Sequence, residues 1–219
     1  MATIAPPPPG QERREQHDDG AGDSGHPKGY GGRGGSPQGV PSSRRYYTGM
    51  LVALGGISML FIAFTSAYVV RKGLSSDWEA TPLPPVLWVS TGMLLGSSWT
   101  LEKARKSLSA HRPFLRWWSA TTILGLLFLA GQLAAWLQLR AAGLYVSTNP
   151  SSSFFYVLTG AHGVHLVGGV TALLYLCWKF TRGGFSHVTP GTAVGVMSIY
   201  WHFMDALWVY LFLLLLLWR

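Results

Sequence analysis

The sequence predicts an all-α fold, a polytopic membrane bundle of five transmembrane helices behind a disordered N-terminal tail. Three observations predict it. Only 12% of the 219 residues are charged, while 48% are hydrophobic. The carboxylates Glu12, Glu15, Asp18, Asp19 and Asp23 crowd into the tail, leaving Asp77, Glu79, Glu102 and Asp205 for the rest. That rest divides into five long apolar runs. A soluble domain needs charged faces throughout, and this chain lacks them.

Residues 1–44 contain PPPP, GQERREQHDDG and GGRGGSPQG with no hydrophobic periodicity. Such a segment cannot bury enough apolar surface to offset its ordering entropy, so it reads as a Pro/Gly-rich disordered cytoplasmic tail. A basic start followed by a short apolar core is missing, so it does not read as a secretory signal. Residues 45–219 form the membrane domain. Its first run is Gly49–Val70 and its second begins at Pro85. The third is Trp117–Leu139, the fourth Phe154–Trp178 and the fifth Thr192–Trp218. Each approaches the ~20 residues a helix needs to cross ~30 Å of hydrocarbon. Runs this continuously apolar are helices, because barrel strands would alternate. Pro82, Pro84 and Pro85 suit the first turn of the second helix. Its far end turns polar at Glu102–Lys106.

Basic residues set the orientation. Thirteen of the 17 Lys and Arg lie before the first run, after the second run or after the fourth. The other side has Arg71, Lys72, Arg140 and Arg219. That bias places the N-terminus in the cytoplasm and the C-terminus outside, in a multi-pass bacterial cell (inner) membrane protein. The formal charge of +8 is thus topological, and no nucleic-acid partner is expected. Cys177, the single cysteine, excludes an internal disulfide, an iron–sulfur cluster and a two-cysteine copper centre. The loops between runs are too short to wall in a soluble substrate, which confines function to the bilayer or to contact with other subunits. GMLLG (Gly92–Gly96) and GTAVG (Gly191–Gly195) have GxxxG spacing, and Gly160, Gly163, Gly168 and Gly169 punctuate the fourth run, so close helix approach is expected there. Tyr46, Tyr47, Trp78, Trp117, Trp118, Trp201 and Trp218 stand near run ends, as an interfacial belt would. Trp201 and Trp208, seven apart, suggest a face packed on helices or lipid.

Ionisable groups inside spans are expensive and usually functional. Four occur here: His162 and His165, three apart on one helix face, and His202 and Asp205. With ~1.5 Å rise per residue, the first pair lies ~12–17 Å below the outer end of the fourth span. The second pair lies ~15–20 Å from the inner end of the fifth. All four therefore reach similar depth and could face one another. Such a set could ligate a b-type haem between helices, hold a metal ion, contribute to a proton relay with Gln132, or pin helices together. A self-contained relay would need titratable groups reaching both surfaces, and Asp205 is the only carboxylate in mid-membrane. Leaving Asp205 unpaired would cost several kcal/mol, so it needs a fixed partner.

FFYVLTGAHGVHLVGG (residues 154–169) resembles the TG-x-HG-x-H segment of subunit III of the haem–copper (cytochrome c) oxidases. YWHFMDALWVYLF (200–212) resembles that family's final-helix signature YWHF-x-D-x-x-W, and LLGSSWTLEKA (94–104) its LL-x-SS-x-T-x-x-x-A. Their order and separation also match, so the resemblance covers about residues 45–219 and corresponds to the short five-helix bacterial type.

The resemblance implies an accessory, structural subunit of a respiratory terminal oxidase. Electrons then pass from cytochrome c to oxygen, coupled to proton translocation, on the haems and copper of partner subunits. This chain would have no cofactor, catalytic site or metal site of its own. It would pack against catalytic subunit I, with subunit II in the same complex, bind phospholipid and support proton uptake. His162, His165, His202 and Asp205 then read as a structural interhelical network pinning the last helix to the fourth, and Trp201 and Trp208 as lipid or helix contacts. Many members carry a membrane glutamate in the first of these five helices and another before the aromatic of Q-x-x-E-[YW]. Here Ile57 and Ala135 stand at those places, which speaks against a direct proton role. A quinol-oxidase or nitric-oxide-reductase subunit, and a b-type haem anchor of a quinone-linked dehydrogenase, remain as alternatives.

Overall fold

The computed structural model of the chain describes residues 43–74, 83–145, 149–182 and 189–217. All but Ser43 and Arg44 of the tail lie outside these residues, as do Asp77, Trp78, Glu79, Trp218 and Arg219. Regular structure among the described residues is entirely helical: α1 (Ser43–Leu74), α2 (Val86–Lys106), α3 (His111–Ala141), α4 (Pro150–Arg182) and α5 (Pro190–Leu217). Four of these, α1, α3, α4 and α5, are long and apolar enough to cross a membrane.

Most helices run past their apolar stretches, and a polar residue caps the N-terminus of α4 and of α5. Ser43 and Arg44, expected in the tail, form the first turn of α1. The α4 helix begins at Asn149-Pro150, where the Asn149 Oδ1 accepts from the Ser152 N–H at 2.8 Å. The α5 helix begins at Thr189-Pro190, with the Thr192 N–H donating to Thr189 Oγ1 at 3.3 Å. Both use a polar N-cap followed by a proline at the first helical position. At the C-terminus of α3, Gly143 adopts φ 80°. The Leu144 N–H reaches the Leu139 carbonyl and the Gly143 N–H that of Arg140, both at 3.0 Å. This is a Schellman cap, for which glycine is the favoured residue.

Helices α2, α3, α4 and α5 form a closed ring in which each packs on its two neighbours, while α1 lies outside it against α4 and α5. Consecutive members of the ring are antiparallel. Thr100 meets Thr121, the Trp118 indole reaches the Leu173 carbonyl, and the Tyr200 hydroxyl reaches the His165 carbonyl. The N-termini of α1, α3 and α5 and the C-termini of α2 and α4 therefore share one end. Basic residues gather there over aromatic rings: Lys103 over Trp99, Lys179 over Tyr175 and Arg182 over Trp178. Trp117 is half-buried at that end with Trp99 edge-on to it. Trp118, expected in the same belt, is instead fully buried.

Of the glycines with GxxxG spacing only Gly195 is crowded, and Gly169 is the tight one in the fourth run. A Cβ on Gly92 would meet nothing within 4 Å, and on Gly96 or Gly191 only an ordinary contact at 3.8 Å. The crowded glycines are Gly125 and Gly169 beside Trp201, Gly131 beside Ser90, and Gly195 beside the Tyr47 hydroxyl. Spacing identifies small residues on one helix face, but it does not say which face meets a neighbour.

Candidate functional site

The centre of the ring is filled from α5. Trp201 is fully buried and its indole N–H donates to Ser97 Oγ of α2 at 2.9 Å. The benzo edge of the indole lies in a notch between Gly125 of α3 and Gly169 of α4. A Cβ on Gly125 would stand 2.8 Å from its Cη2, and one on Gly169 3.3 Å from its Cζ3. One side chain thus touches all three other helices of the ring. Two turns further on, Trp208 repeats the arrangement. Its N–H donates to Thr91 Oγ1 of α2 at 3.0 Å, Phe128 of α3 sits edge-on at 5.0 Å, and His162 of α4 lies against it at 5.1 Å between centroids. The seven-residue spacing returns the helix to nearly the same azimuth, so both tryptophans point inward. Their place is helix contact within the ring.

Between these two levels, His202 and Asp205 face α2. Ser98 Oγ hydrogen-bonds to the Asp205 carboxylate and lies 2.9 Å from His202 Nδ1. A hydroxyl has one proton. With that proton given to the carboxylate, Ser98 is free to accept from His202 Nδ1–H, the tautomer in which Nε2 is an acceptor. Asp205 is buried and its Oδ1 has no protein partner, while His202 is exposed.

The histidines of α4 lie elsewhere. His162 is fully buried beside Phe128 and Trp208, with neither nitrogen bonded to protein. His165 Nδ1 is 2.7 Å from its own helix's Ala161 carbonyl, and its ring stands 5.9 Å from Phe61 of α1. The four ionisable residues therefore do not share one hydrogen-bonded network. Asp205 and His202 are joined to α2 rather than to α4. Equal depth, which rise per residue supplies, leaves azimuth undetermined. The side of α5 that meets His162 is Trp208. Among the described residues no group of three or more His, Cys, Asp or Glu is placed to hold a metal ion.

Sequence reasoning passed over the α2 side of these contacts, Thr91, Ser97 and Ser98. The available signal was the low hydropathy of LLGSSWTLEKA, which reads as weakness in a span until a partner helix is in view. Gly125 carried no signal of its own. Ile57 is partly buried against the core and Ala135 is fully buried. Gln132 is buried with neither amide atom bonded to protein. It borders a groove of about 280 Å³ between α3 and α4, walled by Leu129, Leu133, Val164 and Val167.

The three motif segments are thus the segments that meet: LLGSSWTLEKA on α2, TGAHGVHLVGG on α4 and YWHFMDALW on α5. The family model of cytochrome c oxidase subunit III matches residues 49–219. The chain belongs to the cytochrome c oxidase subunit III family. Cytochrome c oxidase subunit 3 of Thermostichus vulcanus is 32% identical over 172 residues, covering 76% of this chain and 84% of that protein. The Synechocystis protein of the same name is 30% identical over 185 residues, covering 82% and 77%. A probable cytochrome c oxidase subunit 3 of Mycobacterium tuberculosis is 32% identical over 174 residues, covering 75% and 83%. Membership makes this chain a haem–copper oxidase subunit III, a multi-pass membrane protein and part of a multi-subunit oxidoreductase complex.

Proposed function

We propose that this subunit III crosses the membrane five times and serves its oxidase structurally, with no catalytic site, haem or metal of its own. It supports a complex that passes electrons from cytochrome c to oxygen with proton translocation. The observation that carries this reading is the way the family's signature residues are used. Trp201 and Trp208 donate their indole N–H groups to Ser97 and Thr91 of α2, and the Asp205 carboxylate accepts from Ser98 of the same helix. At 21 residues, α2 is ~31 Å long, enough for a fifth span. Its serines and threonines lower its apolarity but are bonded inside the bundle. Its immediate partners are subunits I and II, with haem and copper held there.

The N-terminus faces the cytoplasm and the C-terminus the outside of a bacterial cell membrane. This is supported by Arg44, Arg45, Lys103, Arg105, Lys106, Arg112, Arg116, Lys179 and Arg182 sharing one end of the bundle. Phospholipid is the expected ligand. The groove beside Gln132 offers a wall for an acyl chain, and a hollow lined by Arg112, Arg116 and Trp117 at the basic end offers cations at headgroup level. His162 and Trp208, with Asp205 and Ser98, hold α5 in register.

Purification through a tag on this chain tests the reading. It should bring down haem and copper in other subunits, while the isolated chain shows no stoichiometric b-type Soret band. Such a band in the isolated chain would instead support a haem anchor. Quinol as the only electron donor to the purified complex would move the chain to a quinol oxidase.

A further inference from the structure

His202 is the one His, Asp, Glu, Lys or Arg among the described residues that is exposed more than two turns from a helix end. The other exposed residues deep in the helices are mostly apolar, such as Leu60, Ile62, Ile123, Leu127 and Val164. An ionisable side chain at such depth faces protein or a water-filled cavity rather than lipid. Its Nδ1 is hydrogen-bonded to Ser98, and Nε2 has no partner among the described residues.

The surroundings are shaped for a helix. Both α1 and α2 pack on α5, yet they do not pack on each other. The strip of α5 between them, His202, Ala206 and Leu213, is bare. Ala206 is one turn from His202 and small, which permits close backbone approach. Leu213 and Leu95 of α2, both exposed, extend the apolar surface around it. Apolar lipid tails would suit Leu213 but leave the imidazole nitrogen unsatisfied.

We infer that the α5 strip between α1 and α2 is the docking face for a membrane-spanning helix of another oxidase subunit, which donates a hydrogen bond to His202 Nε2. The donor is a hydroxyl, carboxamide or indole N–H at mid-membrane depth. Docking buries the imidazole and completes a line of polar contacts from the partner through His202 and Ser98 to Asp205. This inference rests on the oxidase-subunit reading above.

The test uses the intact complex, purified through a tag on this chain. A photo-crosslinking amino acid at position 206 should form an adduct with a membrane-spanning segment of another subunit, identified by mass spectrometry. The same probe at Ile123, on α3 diagonally across the ring, should not reach that segment. Ala206→Trp should block the strip sterically and lower co-purified haem several-fold, whereas Ile123→Trp should not. His202→Leu should likewise lose haem without lowering the amount of folded chain. If the face is lipid-exposed, His202→Leu is neutral or stabilising, Ala206→Trp assembles normally and position 206 gives no protein adduct, which overturns the inference. An adduct with a subunit of a complex lacking haem and copper would keep the docking face and sink the oxidase reading instead.

Discussion

Gly125→Ala puts one methyl group against the indole of Trp201. The new carbon would stand 2.8 Å from Cη2, 3.0 Å from Cζ2 and 3.3 Å from Val170 Cγ2. Carbon pairs are comfortable at ~3.5–4.0 Å, so the indole must retreat by something near 0.7 Å. Retreat is opposed, because the ring already lies close to Gly169 on the other side and is tied to Ser97 by its N–H. Overpacking of this kind costs ~1–3 kcal/mol. Replacing glycine by alanine in a helix returns up to ~1 kcal/mol, which leaves roughly 0–2 kcal/mol of net destabilisation.

In a Trp201→Phe background the cost should vanish. The benzo carbons that clash are the atoms a phenyl ring does not place there, so only the helix gain remains and Gly125→Ala becomes neutral or stabilising. The coupling between the two sites should be ~1–3 kcal/mol, as for residues in direct contact. Ser97 stays satisfied after Trp201→Phe, since its hydroxyl donates to the Leu94 carbonyl at 2.6 Å. Cys177 is the chain's single, free cysteine, so a thiol-reactive fluorophore can report thermal unfolding of the purified subunit in detergent. Each kcal/mol should move the midpoint by roughly 2–4 °C for a chain of this size. Gly92→Ala, which meets nothing, serves as the control. Equal shifts for Gly125→Ala in both backgrounds would refute the notch.

Ser98→Ala should destabilise by ~1–3 kcal/mol because it strips the buried Asp205 carboxylate of its hydroxyl donor, whereas Ser98→Ala with Asp205→Leu should regain much of that loss; the same melts compare them. Asp205→Ala should reduce the yield of assembled oxidase more than the activity per assembled complex, read as turnover divided by haem content; equal assembly with activity abolished would favour a proton role. Thr91→Val should weaken the subunit by ~0.6–2 kcal/mol, the range for one interhelical hydrogen bond in a membrane, and the double variant Thr91→Val with Trp208→Phe should lose less than the sum of the two single changes. His162→Phe should hold or raise the melting midpoint, since two buried nitrogens without protein partners are replaced by a ring of similar shape between Phe128 and Trp208; a large fall would show that His162 is bonded in solution.

Much of the architecture could be read from the residues. Helix existence, order and the basic end follow from apolar length and from Lys and Arg placement, both properties of single segments. Helix ends lie beyond the apolar runs in α1, α3 and α4, whose last turns carry Arg71 and Lys72, Arg140, and Lys179 and Arg182. The site was legible as a set of residues but not as a set of pairs. His162, His202, Asp205, Trp201 and Trp208 do lie in the interior or at its seam. Which of them meet depends on azimuth, and azimuth depends on which helices are neighbours. Counting depth alone joined Asp205 to the histidines of α4, when its partner is a serine on α2. Small residues carried the same ambiguity: Gly125 outside any repeat clasps Trp201, while the regularly spaced Gly92 faces open space.

The roles of α2 and α5 follow from their opposite compositions. Apolar to its end apart from its middle turns, α5 presents two indole N–H groups, an imidazole and a carboxylate there. The helix that answers them, α2, has its hydroxyls at Thr91, Ser97 and Ser98. In hydrocarbon neither set has water as an alternative, so each makes the other tolerable in the membrane. The same hydroxyls make α2 the least apolar of the five. Its burial of Leu87, Leu94, Leu101 and Ala104 against α3 and α5 compensates in packing for what it lacks in hydropathy. The pairing is also directional: 201 with 97, 205 with 98 and 208 with 91 can be satisfied together only with α5 antiparallel to α2 and in one register. A helix held in a single register presents His202 to its outer side at a fixed depth. That fixed depth is what a neighbouring subunit would need in order to place one hydrogen-bond donor against it.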